Sequence, residues 1–276
     1  MRNSNLLTGQ AGKIFTITFN REDKMNAMSA SFLTDLKCAL DSVKYDDSVS
    51  VVVLKATGKA FTTGYDLDGS DWILSQNPIA AKGKLDLDRD REDIKTILEY
   101  WWAMWKFPKP IIAQVQGLCL SGGGELIAMC DLVVAAETAK FGHPAGRDLG
   151  IPPTVFLWPM LIGMKKTREF LYTARLFSAT EAERLGLINR VVPLHELEKT
   201  VDELAADVAR TPVNNLAILK QATSRFYENM GLFASGDQAA ELDAVFHQSE
   251  SFVNFFAKVA ESGVQAALAE RRQRFG

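Results

Sequence analysis

Between Lys109 and Asp131 the chain carries a single charged side chain, Glu125, inside the run PIIAQVQGLCLSGGGELIAMCDLVVAA that spans residues 110–136. The residues around it are of the kinds that go inside a fold. A carboxylate in such a place must be paired, protonated or put to use. Three glycines stand just ahead of it, at 122–124. They let the backbone approach a ligand closely, and a helix beginning there would turn free N–H groups toward whatever lies in front. The pattern describes a site for developing negative charge beside a proton-transfer group. It does not describe a membrane span, because glycines, Gln116, Ser121 and Glu125 interrupt it before about 18 uncharged apolar residues accumulate.

The 276 residues can bury a large core, and the expected organisation is an α/β core over 1–194 followed by a helical region over 195–276. Lys plus Arg at 31 against Asp plus Glu at 34 give a net charge of -3, which argues against nucleic acid as a partner. Three cysteines without C-x-x-C spacing and three scattered histidines argue against a disulfide framework or a metal site. The opening MRNSNLLTGQAGK lacks the apolar run of a secretory signal. A cytoplasmic protein is expected.

Residues 13–19 alternate apolar and polar side chains, as a half-exposed strand does, and 20–26 read as a polar turn. Ser29 can cap a helix whose apolar stripe is Phe32, Leu33, Leu36, Leu40 and Val43. Residues 49–54 form a β-branched strand, and strand, helix, strand in that order implies a right-handed crossover with parallel pairing. The glycine-bearing loop 56–69 follows a strand end, where parallel sheets bind ligands. A charged surface segment, read as mobile, is expected over 75–93. A helix over 93–106 then carries Trp101, Trp102 and Trp105 toward the core. Strands are expected at 111–115 and 132–136, on either side of a helix opened by the glycine run. Beyond a loop FGHPAGRDLGIPP, helical patterns dominate at 156–161, 167–173, 180–185, 195–210 and 213–229. One extended piece interrupts them at 187–192, and two more helices close the chain.

As a phosphate loop the glycine run fails, lacking the Walker lysine and the spaced third glycine of a dinucleotide fingerprint. Ser121 lies in LSGGG, not in G-x-S-x-G. Four ordered segments do resemble a known family: FNREDKMNAM, GKAFTTGYDL, LSGGGELIAMCDLVVAAETAKFG and FSATEAERLGLINRVVP are similar to those of the enoyl-CoA hydratase/isomerase, or crotonase, superfamily. The likeness covers roughly residues 13–200 in matching order, and the terminal SGVQAALAERRQRF resembles that family's last helix. It implies a spiral of ββα repeats with a C-terminal α-helical trimerisation region, and a homotrimer or dimer of trimers. It also implies an acyl-CoA substrate, with coenzyme A present as part of that substrate and no tightly bound cofactor.

By motif match, the thioester carbonyl would sit between the backbone N–H groups of Tyr65 and Gly122, an oxyanion hole whose donors are each typically worth ~3–4 kcal/mol. Glu125 matches the first catalytic glutamate of the hydratases and would activate water for attack at the β-carbon. The second glutamate is missing. Ala145 stands in its place, or Gly146 when counted back from Gly150, so Asp148 is the expected replacement, ahead of Arg147 and His143. Tyr65 replaces a small residue and is expected to shape the acyl pocket. Lys24 and the backbone from Thr63 through Asp66 to Leu67 would lie along the nucleotide and pantetheine arm, and Arg271 or Arg272 would reach phosphates of a neighbouring subunit's coenzyme A. The implied activity is enoyl-CoA hydration, a lyase reaction. The alternatives are an isomerase, decarboxylase or thioester hydrolase working with one Glu, and an inert acyl-CoA-binding member of the fold.

Overall fold

The computed structural model describes residues 5–81 and 83–275. Residues 1–4, part of the opening stretch read for a secretory signal, lie outside the described residues. So do Lys82, within the segment read as mobile, and Gly276.

The strands form two sheets. The larger comprises β1 (Leu6–Ala11), β2 (Ile14–Phe19), β3 (Val51–Ala56), β5 (Ile111–Val115), β7 (Leu132–Ala136) and β10 (Arg190–Val192), in the order β1-β2-β3-β5-β7-β10. The smaller comprises β4 (Ala60–Thr62), β6 (Leu118–Leu120), β8 (Lys140–Gly142) and β9 (Phe177–Ser178), in that order. The β1/β2 hairpin and the β8/β9 pair are antiparallel. The other pairs are parallel, with Ile14 opposite Val51, Val52 opposite Ile111 and Ala113 opposite Val133. Each turn of the winding adds one longer strand to the large sheet, one three-residue strand to the small sheet, and then a helix. The sets are β3, β4 and α2 (Leu87–Trp105), then β5, β6 and α3 (Gly122–Ala128), then β7 and β8, followed by α4 (Trp158–Ile162) and α5 (Met164–Thr173), with α6 (Ala179–Leu185) after β9. This is the ββα spiral that the resemblance implied.

Strands β3, β5 and β7 are apolar at nearly every position because both faces are covered. Val52, Leu54, Ile111, Ala113, Val115, Val133 and Ala135 face the main core. Their sequence neighbours Val51, Val53, Ile112, Val134 and Ala136 pack against Leu197, Val201 and Ala205 of α7 (Leu197–Val208). Each such valine or isoleucine contributes about 1.5–3 kcal/mol relative to exposure. The expected division at 194/195 therefore falls just ahead of a helix that still seals the sheet. Beyond it come α8 (Val213–Asn229), α9 (Leu232–His247) and α10 (Glu250–Phe275), the last broken at Gly263.

Helix α1 (Ala30–Val43) is capped by Ser29, whose hydroxyl accepts from the Phe32 N–H, and it buries the expected stripe. Helix α2 starts six residues ahead of expectation, because Asp86 caps it by accepting from the Arg89 N–H at 2.9 Å. The charged run thus belongs in part to a helix, and its Asp90 is fully buried. Trp101 is buried, and Trp102 and Trp105 pack against the core, as the aromatic stripe predicted. Among the described residues no helix is long and apolar enough to cross a membrane, and no His, Cys, Asp and Glu cluster could hold a metal ion.

Candidate active site

Two backbone turns meet at the edge of the small sheet. Ser121, between β6 and α3, adopts a left-handed φ of 50°, and this sharp turn delivers Gly122 as the first residue of α3. The Gly122 N–H belongs to a first helical turn, whose donors have no intrahelical partner. From the other side, Met28 donates to the Gly64 carbonyl at 2.8 Å and accepts from the Asp66 N–H at 2.9 Å. In such pairing alternate residues point opposite ways, so the Tyr65 N–H between them faces away from Met28. A Cβ on Gly64 would lie 2.8 Å from the Ser121 Cβ and 3.1 Å from the Gly122 nitrogen, so only glycine allows the two segments to come this close. A Cβ on Gly122 would likewise lie 3.0 Å from the Tyr65 ring.

One turn further along α3, the Glu125 carboxyl is 1% exposed, and neither of its oxygens makes a hydrogen bond to a described residue. Burial raises its pKa to about 8. The Tyr65 hydroxyl and Thr154 act in the opposite sense, and the Asp243 charge adds to the rise. Glu125 therefore rests mainly as the neutral acid at neutral pH. Trp101 donates its indole N–H to the Tyr65 hydroxyl at 3.2 Å. Burial, followed by the Glu125 charge, holds the Tyr65 phenol well above its ordinary pKa, so it stays a donor.

These groups open onto a cavity of about 840 Å³. It is lined by Tyr65, Gly122, Glu125, Ile94 and Ile97, among others, and by Lys24, Thr63, Asp66 and Leu67, while Arg271 and Arg272, expected to reach a neighbouring subunit's ligand, line the cavity of their own chain instead. The structure thus gathers every one of the expected amide, acid and ligand-arm residues into one cavity, with a single exception. That exception is Asp148. It does not line the cavity. Both of its carboxylate oxygens accept from the Arg271 Nε, at 2.7 and 2.9 Å, which points the side chain toward α10. The other candidates on this loop fare no better. Arg147 donates to the Thr173 carbonyl at 2.6 Å, whereas His143 does line the cavity, with burial lowering its pKa to about 4 and keeping its imidazole neutral at neutral pH. Ala145 does line the cavity, whereas Gly146 packs against the His143 ring.

The mouth carries a set of fixed charges. Lys24 pairs with Asp68 at 3.0 Å and Arg21 with Asp66 at 2.9 Å. The hydrogen bond to Asp68 raises the Lys24 pKa, so this side chain remains a cation. Over the mouth lies the second half of α10, which contributes Val264, Leu268, Arg271 and Arg272. It is held there by Arg271, which also donates to the Pro144 carbonyl, and by a cluster of Phe252, Phe255 and Phe256 packed against Leu67, Trp72 and Leu149.

Sequence reasoning passed over one set of ionisable groups. Asp243 and His247 of α9 line the same cavity and are almost fully buried. His247 Nδ1 lies 2.7 Å from the carboxylate of Asp90 on α2, and its Nε2 lies 3.6 Å from Asp243 Oδ1. The Ile151 N–H donates to that same Asp243 oxygen at 2.8 Å. Burial raises the Asp243 pKa to about 6, against the opposing influence of His247. Burial also works against a charge on His247, yet the Asp243 charge and the hydrogen bond to Asp90 leave its pKa raised. A signal was present. Leu232, Gly236, Ala239, Ala240, Asp243, Ala244 and His247 form the buried stripe of α9, so an acid and a histidine four residues apart fall on the apolar face of a helix.

A model of the enoyl-CoA hydratase/isomerase family matches residues 9–274. A short-chain-enoyl-CoA hydratase from Clostridium acetobutylicum is 29% identical, over 99% of this chain and 97% of that protein. A protein of Rhizobium meliloti named "Probable enoyl-CoA hydratase" is 32% identical over 92% of this chain and 95% of its own. The crystal structure of an enoyl-CoA hydratase/isomerase from Xanthobacter autotrophicus Py2 has a TM-score of 0.87 at 29% identity, over 99% of both chains.

Proposed function

The chain belongs to the enoyl-CoA hydratase/isomerase family, and from that premise we propose that it adds water to a 2-enoyl-CoA. The observation that carries the reading is Glu125, a buried carboxyl without a hydrogen-bond partner among the described residues, set in the cavity beside the Tyr65 and Gly122 amides. In this reading the thioester carbonyl accepts from both N–H groups. As oxygen binds C3, charge moves from the double bond onto that carbonyl, and donors held in advance stabilise it at no cost of reorganisation. Glu125 supplies or removes the proton on the reacting carbons, and its raised pKa puts it in the range where such transfer is efficient at neutral pH. Tyr65, held by the Trp101 indole N–H, closes the acyl end, while the Lys24 ammonium and the guanidinium groups of Arg271 and Arg272 suit the phosphates of coenzyme A.

Ala145 favours one further reading, in which a single Glu serves double-bond isomerisation, decarboxylation or thioester hydrolysis. Ile218, Leu219 and Phe226 on α8 are exposed in the single chain, which suits burial between copies in a homotrimer or dimer of trimers. We place the protein in the cytoplasm. The deciding experiment incubates the enzyme with crotonyl-CoA, a 3-enoyl-CoA and a malonyl-type thioester and identifies products by mass. The expected product is the 3-hydroxyacyl-CoA from crotonyl-CoA. Glu125→Gln is expected to lower kcat by about 10²–10⁴-fold while binding of the thioester persists. An unchanged rate in that variant would remove Glu125 from the mechanism.

A further inference from the structure

We propose that Asp243, held from α9 and tied through His247 to Asp90 of α2, is the second proton-transfer group of this cavity, replacing the carboxylate that the Ala145 loop lacks. The inference rests on the acyl-CoA reading above and adds the missing partner of Glu125.

Three observations carry it. Asp243 and His247 both line the cavity that holds Glu125, so the cluster is not merely a buried ionic link between α2 and α9. The Asp243 charge reaches both Glu125 and Tyr65, raising the pKa of each. Finally, the loop that lost its own acid is built to hold this one. The Ile151 N–H fixes Asp243 Oδ1, and a Cβ on Gly150 would stand 2.7 Å from that oxygen and 3.3 Å from His247 Nε2, so the loop's glycine makes room for the pair. Asp243 Oδ2 has no hydrogen bond to a described residue and is the oxygen left for chemistry.

The groups that face Asp243 are His247 on its own helix, Asp90 on α2, Glu125 on α3 and Tyr65 on the loop after β4. The His247 charge, held beside Asp90, favours the ionised form of Asp243, whereas burial favours the neutral form of Glu125. One proton is therefore shared unequally between two carboxyls. In hydration, Asp243 takes over the water activation first expected of Glu125, removing a proton from water as the water oxygen bonds to C3. The C2–C3 π pair moves onto the thioester as an enolate, and Glu125 gives its proton to C2. The product leaves with Asp243 protonated and Glu125 ionised, and return of that one proton restores the resting state. Asp243 is the acid/base group in this scheme, and His247 and Asp90 are positioning residues.

The test uses the full-length protein and crotonyl-CoA. Wild type should show a bell-shaped kcat profile with limbs near pH 6 and 8, set by ionised Asp243 and protonated Glu125. Asp243→Asn should lower kcat by about 10²–10⁴-fold, leave KM within about threefold and erase the acid limb, while Asp243→Glu restores part of the rate. His247→Gln should move the acid limb to higher pH, because the cation that favours the Asp243 carboxylate is gone. A purely structural role would leave the limb in place. A folded Asp243→Asn enzyme with kcat within about threefold of wild type overturns the proposal. Where Glu125→Gln is inactive in the same assay, the acyl-CoA reading survives that loss. A wild-type profile without an acid limb, or a His247→Gln profile with the limb unmoved, overturns the proposal even if Asp243→Asn does not fold. A wild-type enzyme inert toward every enoyl thioester ends both readings together.

Discussion

The indole N–H of Trp101 donates to the Tyr65 hydroxyl at 3.2 Å, from a tryptophan that is fully buried. Accepting that bond leaves the phenol's own proton free to turn toward Glu125, whose charged form the hydroxyl favours. Tyr65→Phe removes this influence, so the Glu125 pKa should rise further above about 8 and the basic limb of the pH profile should move to higher pH. The stranded indole N–H should also cost about 1–3 kcal/mol of stability. A pH–rate profile and a thermal melt measure the two effects separately. An unmoved basic limb would reduce Tyr65 to a wall of the acyl pocket.

The elevated Glu125 pKa makes a prediction about stability that does not depend on the substrate. Its folded-state value of about 8 exceeds the ordinary value of 4.5, so the native state binds this proton more tightly than the unfolded chain does. The associated stability is fully present below the unfolded pKa and is lost as pH rises through the folded one. The full span amounts to at most about 5 kcal/mol. Glu125→Gln, which cannot ionise, should therefore be more stable than wild type above about pH 8 and show a flatter stability curve between ~pH 5 and 9. Denaturant melts at both ends of that window test it. Parallel curves for the two proteins would mean that Glu125 titrates normally.

Gly64 has φ 95° and lies against Leu120, Ser121 and Gly122, whereas Gly231 has φ 90° with no atom near its would-be Cβ. Both Gly→Ala changes strain the backbone by roughly 1 kcal/mol or more. Only Gly64→Ala also pushes apart the two segments whose amides meet. It should lower kcat by about 10²-fold or more, while Gly231→Ala should cost stability alone. Comparing kcat with melting temperature for the pair separates strain from displacement. Equal kcat in the two variants would show that the approach of Gly64 to Gly122 is immaterial to turnover.

The ββα winding was legible because its central strands are buried on both faces and so read as unbroken apolar runs, as residues 51–54 and 132–136 do. The strands β4, β6, β8 and β9 were not, since two or three residues are too few to show a period. The start of α2 was hidden by its charge. Nothing in local sequence marks Asp90 as buried, and only the packing of α9 across α2 explains it. The site divides the same way. Glu125 stood out as a lone charge among apolar neighbours, and Tyr65 and Gly122 followed from matched motifs. Asp243 reaches the cavity from a helix more than a hundred residues downstream of Glu125, so its place there depends on a tertiary contact that no spacing predicts.

Asp148 illustrates the reverse error, and its alternative role can be tested. Proximity in sequence made it the expected second acid, yet it is buried and fastened to Arg271 instead of lining the cavity. Breaking a buried pair leaves an uncompensated charge, here the guanidinium that pins the second half of α10 over the mouth. Asp148→Asn should therefore loosen that helix at Gly263, the point where α10 is broken. The expected result is a KM for crotonyl-CoA raised about tenfold, with kcat changed by less than that. Crotonyl-pantetheine, which lacks the nucleotide and its phosphates, should show little change in KM, because the loosened helix weakens only the grip of the mouth on those phosphates. A collapse of kcat at constant KM, equal for both thioesters, would instead return Asp148 to the chemistry and require the loop to move it inward during turnover.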